Sequence, residues 1–176
     1  PKELIRIATG GDPLIIDGLR LLPRVKDSTI DAGAVGIEHT GNRTLALTNW
    51  QYDGRDSIGA YHGKANIGSR LFLEDVYIFG QIKIAAGQKV WARQLNTEKK
   101  ADPKIINAGD LWALGLKTEG GTTIIKTERF GRTEVIGGLL YPSSPVATDT
   151  PAFVNDRGQV SLSYTSLGNI AAEAFT

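Results

Sequence analysis

Residues 90–98 read VWARQLNTE, and residues 111–119 read LWALGLKTE. The same cadence returns after 21 residues: Trp91 recurs as Trp112, Leu95 as Leu116, and Thr97-Glu98 as Thr118-Glu119. Aligning the segments that begin at Arg70, Lys89, Asp110 and Arg132 gives starts 19, 21 and 22 residues apart, and a segment beginning at Arg43 precedes them by 27. A near-constant period of this size means that each unit buries its apolar face against the next one, as in a solenoid. Between glycines and other turn residues lie short runs rich in Val, Ile, Leu, Thr and aromatics. Such runs read as strands, and no helical period is sustained over three turns before Gly168. The spacing therefore predicts an all-β parallel β-helix with coils of about 20–27 residues. Like residues should lie over like: Trp91 over Trp112, and Leu95 over Leu116 over Leu139. An antiparallel sandwich is the competing reading, because it too has short strands with turns at intervals.

Composition narrows the function classes. Hydrophobic residues make up 41% and charged residues 22%, as in a globular chain with a core. Twenty Lys and Arg against nineteen Asp and Glu leave a formal charge of +1, with no basic block that would suggest nucleic acid. The apolar runs are too short to span a membrane. With no cysteine, neither a disulfide framework nor a thiolate metal site is expected. The chain starts at Pro1 and contains no methionine, which suggests a processed chain or a fragment with no signal peptide left to read.

The segments FLEDV, GQKVWARQLNTE, LWALGLKTE, RTEVIGGLLYP and PAFVN resemble the C-terminal coils of secreted bacterial proteins in the pectate-lyase-like, right-handed β-helix superfamily. The resemblance covers roughly residues 10 to 165. It implies a fold and a secreted or cell-surface setting, and it carries no catalytic residue over. Fold alone does not give an activity.

Residues 1–141 form the periodic body, and residues 142–176 form a distinct tail. Pro142, Pro145 and Pro151 favour an extended crossing segment. After it, Val160, Leu162 and Tyr164 alternate with polar residues, which predicts a strand with one dry face. A bare last coil exposes apolar side chains and a pairing edge, so this strand should cap its own helix. The alternative is that it docks on a neighbouring subunit, giving a homo-oligomer.

Three groups of residues are candidates for chemistry. Unbroken alternation puts Trp91, Arg93 and Leu95 on one face, so an inward Trp91 would carry Arg93 inward with it. A buried guanidinium needs a carboxylate, unless a bend turns it outward. Arg93 is either such an ion pair or a clamp for an anionic substrate. The acidic residues Glu74, Asp75, Glu98 and Glu119 form the second group. Stacked coils would bring Glu98 near Glu119, and paired carboxylates suit glycoside hydrolysis or Ca²⁺. Coil-corner residues paired with lysines are the plainer reading. The third group lies in residues 48–64, where Trp50, Tyr52 and Tyr61 offer sugar-stacking faces beside Asp53, Arg55 and His62; the plainer reading is that Trp50 and Tyr52, on one alternation face with Thr48, end a core stack and that His62 is a solvated turn residue. There Asp53 doubles as a weak catalytic candidate. His39 and His62 are the only histidines and are far apart, and no GxSxG, HExxH or phosphate-binding loop is present.

Two functions follow as expectations. One is a polysaccharide-binding module that would act as a lyase or glycoside hydrolase if it is catalytic at all. The other is a structural subunit of an extracellular filament, surface layer or larger assembly.

Overall fold

The computed structural model describes residues 3–22, 35–54, 59–64, 68–98 and 101–168. Sixteen strands account for its regular structure, and no helix occurs among the described residues. In the N-terminal half they are β1 (Glu3–Ile7), β2 (Leu14–Asp17), β3 (Arg20–Leu21), β4 (Val35–His39), β5 (Leu45–Thr48), β6 (Gln51–Asp53), β7 (Gly59–Gly63) and β8 (Arg70–Phe79). There follow β9 (Gln81–Ile84), β10 (Lys89–Glu98), β11 (Ile105–Asn107), β12 (Asp110–Glu119), β13 (Ile125–Glu128), β14 (Arg132–Tyr141), β15 (Phe153–Asp156) and β16 (Gln159–Ser166).

The chain alternates between two sheets. One runs β1-β4-β7-β9-β11-β13-β15, and the other runs β16-β14-β12-β10-β8-β5-β2 with β3 and β6 alongside. Neighbouring strands are parallel throughout. This is a parallel β-solenoid and not a sandwich of antiparallel sheets. The alignment from Arg70 onward is the observed register: Arg70, Lys89, Asp110 and Arg132 are successive partners. The Arg43 segment is set one residue differently from the alignment above, because Leu45 pairs with Leu71 and not with Phe72. A one-residue slip would turn a whole strand over. The observed register is the one that keeps Leu45, Leu47, Leu71 and Leu73 inside.

Long strands of the second sheet do not alternate from end to end. Gly18, Asn49, Asp75, Gln94, Gly115 and Gly137 all have positive φ, between 51° and 75°. They occupy equivalent places on six successive levels, just after Asp17, Thr48, Glu74, Arg93, Leu114 and Ile136, which share one register column. A left-handed residue inserted in a strand bends it and reverses the phase of alternation. In β10 the buried residues are therefore Val90, Ala92, Leu95 and Thr97. Trp91 and Arg93 face outward while Leu95 faces inward, so the expected common face for these three is corrected. Leu139 is corrected as well: it pairs with Lys117 and is exposed, while Gly138 lies beside Leu116 and the inward residue is Leu140.

Inside, Ile37, Tyr61, Ile82, Ile105 and Ile125 form one column of the first sheet, each at most 1% exposed. They face Leu, Val and Ala from the second sheet across a continuous core. At roughly 25 cal/mol per Å² of buried apolar surface, this column is a main source of stability. Three buried polar side chains, His39, Tyr61 and Gln88, are bonded to one another at this column. His39 Nδ1 is 2.8 Å from the Tyr61 hydroxyl, His39 Nε2 is 2.9 Å from the Arg43 carbonyl oxygen, and Gln88 Nε2 donates to the Tyr61 hydroxyl at 2.5 Å.

The tail behaves as an added level. Beyond residues 142–152, β15 lies on β13 and β16 lies on β14 of the same chain. This level lacks the left-handed insertion, so β16 has unbroken alternation along its length. Phe153 and Tyr164 meet across the end of the core with ring centroids 5.2 Å apart, and Gly138 leaves room beneath Tyr164. Residues 169–176, which as sequence could form one short helix or a frayed tail, lie outside the described residues.

Candidate functional site

The left-handed column decides which side chains reach solvent. Ahead of it, outward positions on β8, β10 and β12 carry Phe72, Trp91 and Trp112, which are register neighbours. Their rings form a ladder. Phe72 and Trp91 have centroids 4.9 Å apart and planes 12° apart, and Trp91 and Trp112 are 5.2 Å and 11° apart. Ring atoms in contact are separated by roughly 3.5–4 Å, so centroids this far apart mean that each ring has slid by roughly 3–4 Å over the next. That is the offset arrangement aromatic pairs prefer, and it leaves a strip of each face uncovered, like the treads of a staircase.

The next outward column holds Thr48, Glu74, Arg93, Leu114 and Ile136. Leu114 is 55% exposed and Ile136 is 50% exposed. Together with the ladder they line a groove of about 460 Å³. Arg93 donates to a Glu74 carboxylate oxygen, and both side chains face water. The bend thus turns Arg93 outward into an exposed ion pair, which removes any need for a buried partner. Exposed pairs of this kind contribute about 0–1 kcal/mol. Asp75 occupies the left-handed position itself and is exposed.

Beyond the bend lies a recess of about 310 Å³ formed in part by Asn96, Lys117 and Leu139. Glu98 and Glu119 do come together near it, with a lysine between them. The Lys117 ammonium donates to Glu98 at 2.8 Å and also to Glu119. Asn96 and the Tyr77 hydroxyl donate to Glu98 as well, at 2.9 and 3.1 Å. Burial pushes the Glu98 carboxyl up, but these hydrogen bonds and the Lys117 charge outweigh it and hold it below the usual carboxylate range. A catalytic acid needs the opposite shift. The fully buried Lys104 is close enough to feel Asp102, Glu98 and Glu119, yet burial still brings its ammonium down to about 8.

At its aromatics the segment 48–64 follows the core reading and not the sugar-binding one. Trp50, Tyr52 and Tyr61 are at most 1% exposed and belong to the core, so their faces meet protein. Asn49 explains the first two: it is left-handed, and the phase reverses after Thr48. Asp53 ends β6 half-buried, and its Oδ1 has no hydrogen-bond partner among the described residues. His62 lies half-buried in an outward column between Glu38 and Lys83. Burial, then the Lys83 and Lys64 charges, bring it down to about 4. Arg55 lies outside the described residues. Of the expected ligand-binding residues, only Arg93 borders the groove; its apolar lining of Phe72, Trp91, Trp112, Leu114 and Ile136 is not among them. Among the described residues, no three His, Asp or Glu side chains gather in a way that would hold a metal ion.

No protein family, curated protein or solved structure matches this chain.

Proposed function

We propose that the chain is an extracellular or cell-surface module that binds a polysaccharide along the outer face of its second sheet, as a member of the pectate-lyase-like group of β-helices would. The staircase of Phe72, Trp91 and Trp112 carries this reading. Three rings in one line, held by a rigid sheet and partly open to solvent, suit a ligand that is a linear chain of flat, amphipathic rings. Glu74 and Arg93 supply charged groups at the rim for hydroxyls and other polar substituents. A groove with an apolar floor and a few polar groups is the usual form of a binding site. Binding is favoured over catalysis because Glu74, Glu98 and Glu119 are each held by a cation, and because Glu98 stays ionised at neutral pH.

The test is affinity electrophoresis of the intact chain through gels containing plant and bacterial polysaccharides. Retardation should be weakened severalfold by Trp91→Ala or Trp112→Ala. The reading fails if no polysaccharide retards the protein, or if both variants are retarded as strongly as the parent.

A second reading, a structural subunit, draws on the far end of the solenoid. The outer edge of β16 is unpaired among the described residues, and Tyr164 and Leu167 are 47% and 46% exposed there. Concentration-dependent growth in light scattering that disappears without residues 151–176 would favour it.

A further inference from the structure

Beside the ladder lies a third outward column, two residues earlier on each strand and therefore on the same face. It contains Arg70, Lys89, Asp110 and Arg132 in register order. Arg70, Lys89 and Arg132 are exposed. None of them forms an ion pair with a described carboxylate, whereas Arg93, on the other side of the ladder, is held by Glu74. The charge is not spread evenly along the groove. On the levels of β8 and β10 the outward columns carry Arg70, Lys89 and Arg93 against Glu74. On the levels of β12 and β14 they carry Arg132 against Asp110 and Glu134. With the exposed Asp75 of the β8 level also counted, the end beside Phe72 and Trp91 is cationic by one charge, with Arg70 and Lys89 outside any ion pair, and the other, beside Trp112, is anionic by one.

We infer that the groove selects a sparsely anionic glycan and places one acidic sugar against Arg70 and Lys89 while neutral sugars cover Trp112. This rests on the polysaccharide reading above. Strands in a sheet are about 4.8 Å apart, so the four levels extend over about 14 Å, long enough for the two ends to meet different sugars of one chain. At the cationic end the guanidinium of Arg70 matches the geometry of a carboxylate or sulfate, and the Lys89 ammonium adds a second donor. At the other end Asp110 and Glu134 are acceptors that suit neutral hydroxyls. They repel a second acidic sugar. A glycan charged on every residue thus gains at one end and loses at the other, whereas a chain with acidic groups separated by neutral sugars meets both ends favourably.

Three probes separate the possibilities: glucuronoxylan, whose acidic groups are spaced by neutral xylose; the same polymer after chemical reduction of its carboxyl groups; and alginate, charged on every sugar. Isothermal titration at low salt should show glucuronoxylan bound about fivefold to tenfold more tightly than its reduced form, the size expected of two exposed charge contacts. It should also exceed alginate, and the preference should shrink in 0.5 M NaCl. Replacing Arg70→Gln and Lys89→Gln together should bring the ratio of acidic to reduced polymer close to one, with the melting temperature unchanged as a check on folding. Equal affinity for the acidic and reduced polymers overturns the inference while leaving the polysaccharide reading intact. So does tightest binding to alginate. Comparable binding of oligo-thymidylate also overturns it, because the site would then respond to polyanions generally. If none of the three glycans binds, the inference fails; the polysaccharide reading itself fails if no other polysaccharide binds either, or if neither Trp91→Ala nor Trp112→Ala weakens binding.

Discussion

The first levels of the solenoid put their aromatic side chains inside, and the middle levels put theirs outside. Trp50, Tyr52 and Tyr61 are fully buried, and Tyr52 is held so closely between Gly36 and Gly54 that a Cβ on either glycine would collide with its ring. Phe72, Trp91 and Trp112 instead stack along the outer face, where Phe72 remains 41% exposed. The residue types are the same, so the difference comes from their position relative to the left-handed column. Trp50 and Tyr52 follow Asn49, where the phase has reversed, whereas Phe72, Trp91 and Trp112 precede Asp75, Gln94 and Gly115. An aromatic two residues ahead of the preceding outward position is surface, and one just after the bend is core. Burial on one side and exposure on the other make one set structural and leave the other free for a ligand.

The sharpest way to break this contrast is to delete one aromatic from each set. Tyr52→Ala should lower unfolding free energy by roughly 3–5 kcal/mol, the range for removing a buried aromatic, as read by urea denaturation. Trp112→Ala should cost less than half as much and act mainly on ligand binding. Equal losses would show that the outer ladder is core in disguise.

The bend itself can be probed at glycines with different reasons for being glycine. Gly109 packs against the Gln88 and Ala85 carbonyl oxygens, where a Cβ would collide with backbone. Gly115 has φ of 75° but nothing nearer than 3.7 Å to a Cβ, and Asp75 and Gln94 fill the same column with side chains. Gly115→Ala should therefore cost only the conformational penalty, about 1–2 kcal/mol, and Gly109→Ala should cost more. The reverse order in thermal melts would mean that the left-handed column is not what sets the phase.

Acid should act first through the two histidines of the early levels. Burial lowers His39, which bonds to Tyr61, below its ordinary 6.5. His62 is lowered to about 4. With both folded-state values below the unfolded one, the unfolded chain binds more protons between them. Stability is then complete above about pH 7 and falls as the pH drops from 6.5 towards 4. A melting temperature that rises on acidification over that range would contradict the assigned neutral imidazoles. The smallest effect belongs to the outer set: Glu74→Gln should change stability by less than about 1 kcal/mol, because its partner Arg93 is solvated.

How much of this was legible beforehand depended on which periodicity was being read. The register from Arg70 to Arg132 follows from like residues at near-constant spacing, and Trp91 does lie over Trp112. Facing was not legible, because unbroken alternation across Gln94 puts Trp91, Arg93 and Leu95 on one face. A signal was present: residues prone to left-handed backbone, namely Gly18, Asn49, Asp75, Gly115 and Gly137, recur in the sequence with the period of the coil. Gln94 breaks that pattern in the middle of β10. The aromatic loop stayed open between a sugar-binding face and the end of a core stack, since flat rings next to polar residues look alike in sequence whether they face water or a core.

The sequence by itself determined that successive turns wind in parallel and that equivalent residues meet, because a repeat can satisfy its apolar side chains only against its own neighbours. It also determined that no cysteine takes part. Only the tertiary structure decided which of two opposite surfaces each aromatic occupies. That choice turns on one backbone angle per coil, which local composition biases and packing of the whole column fixes.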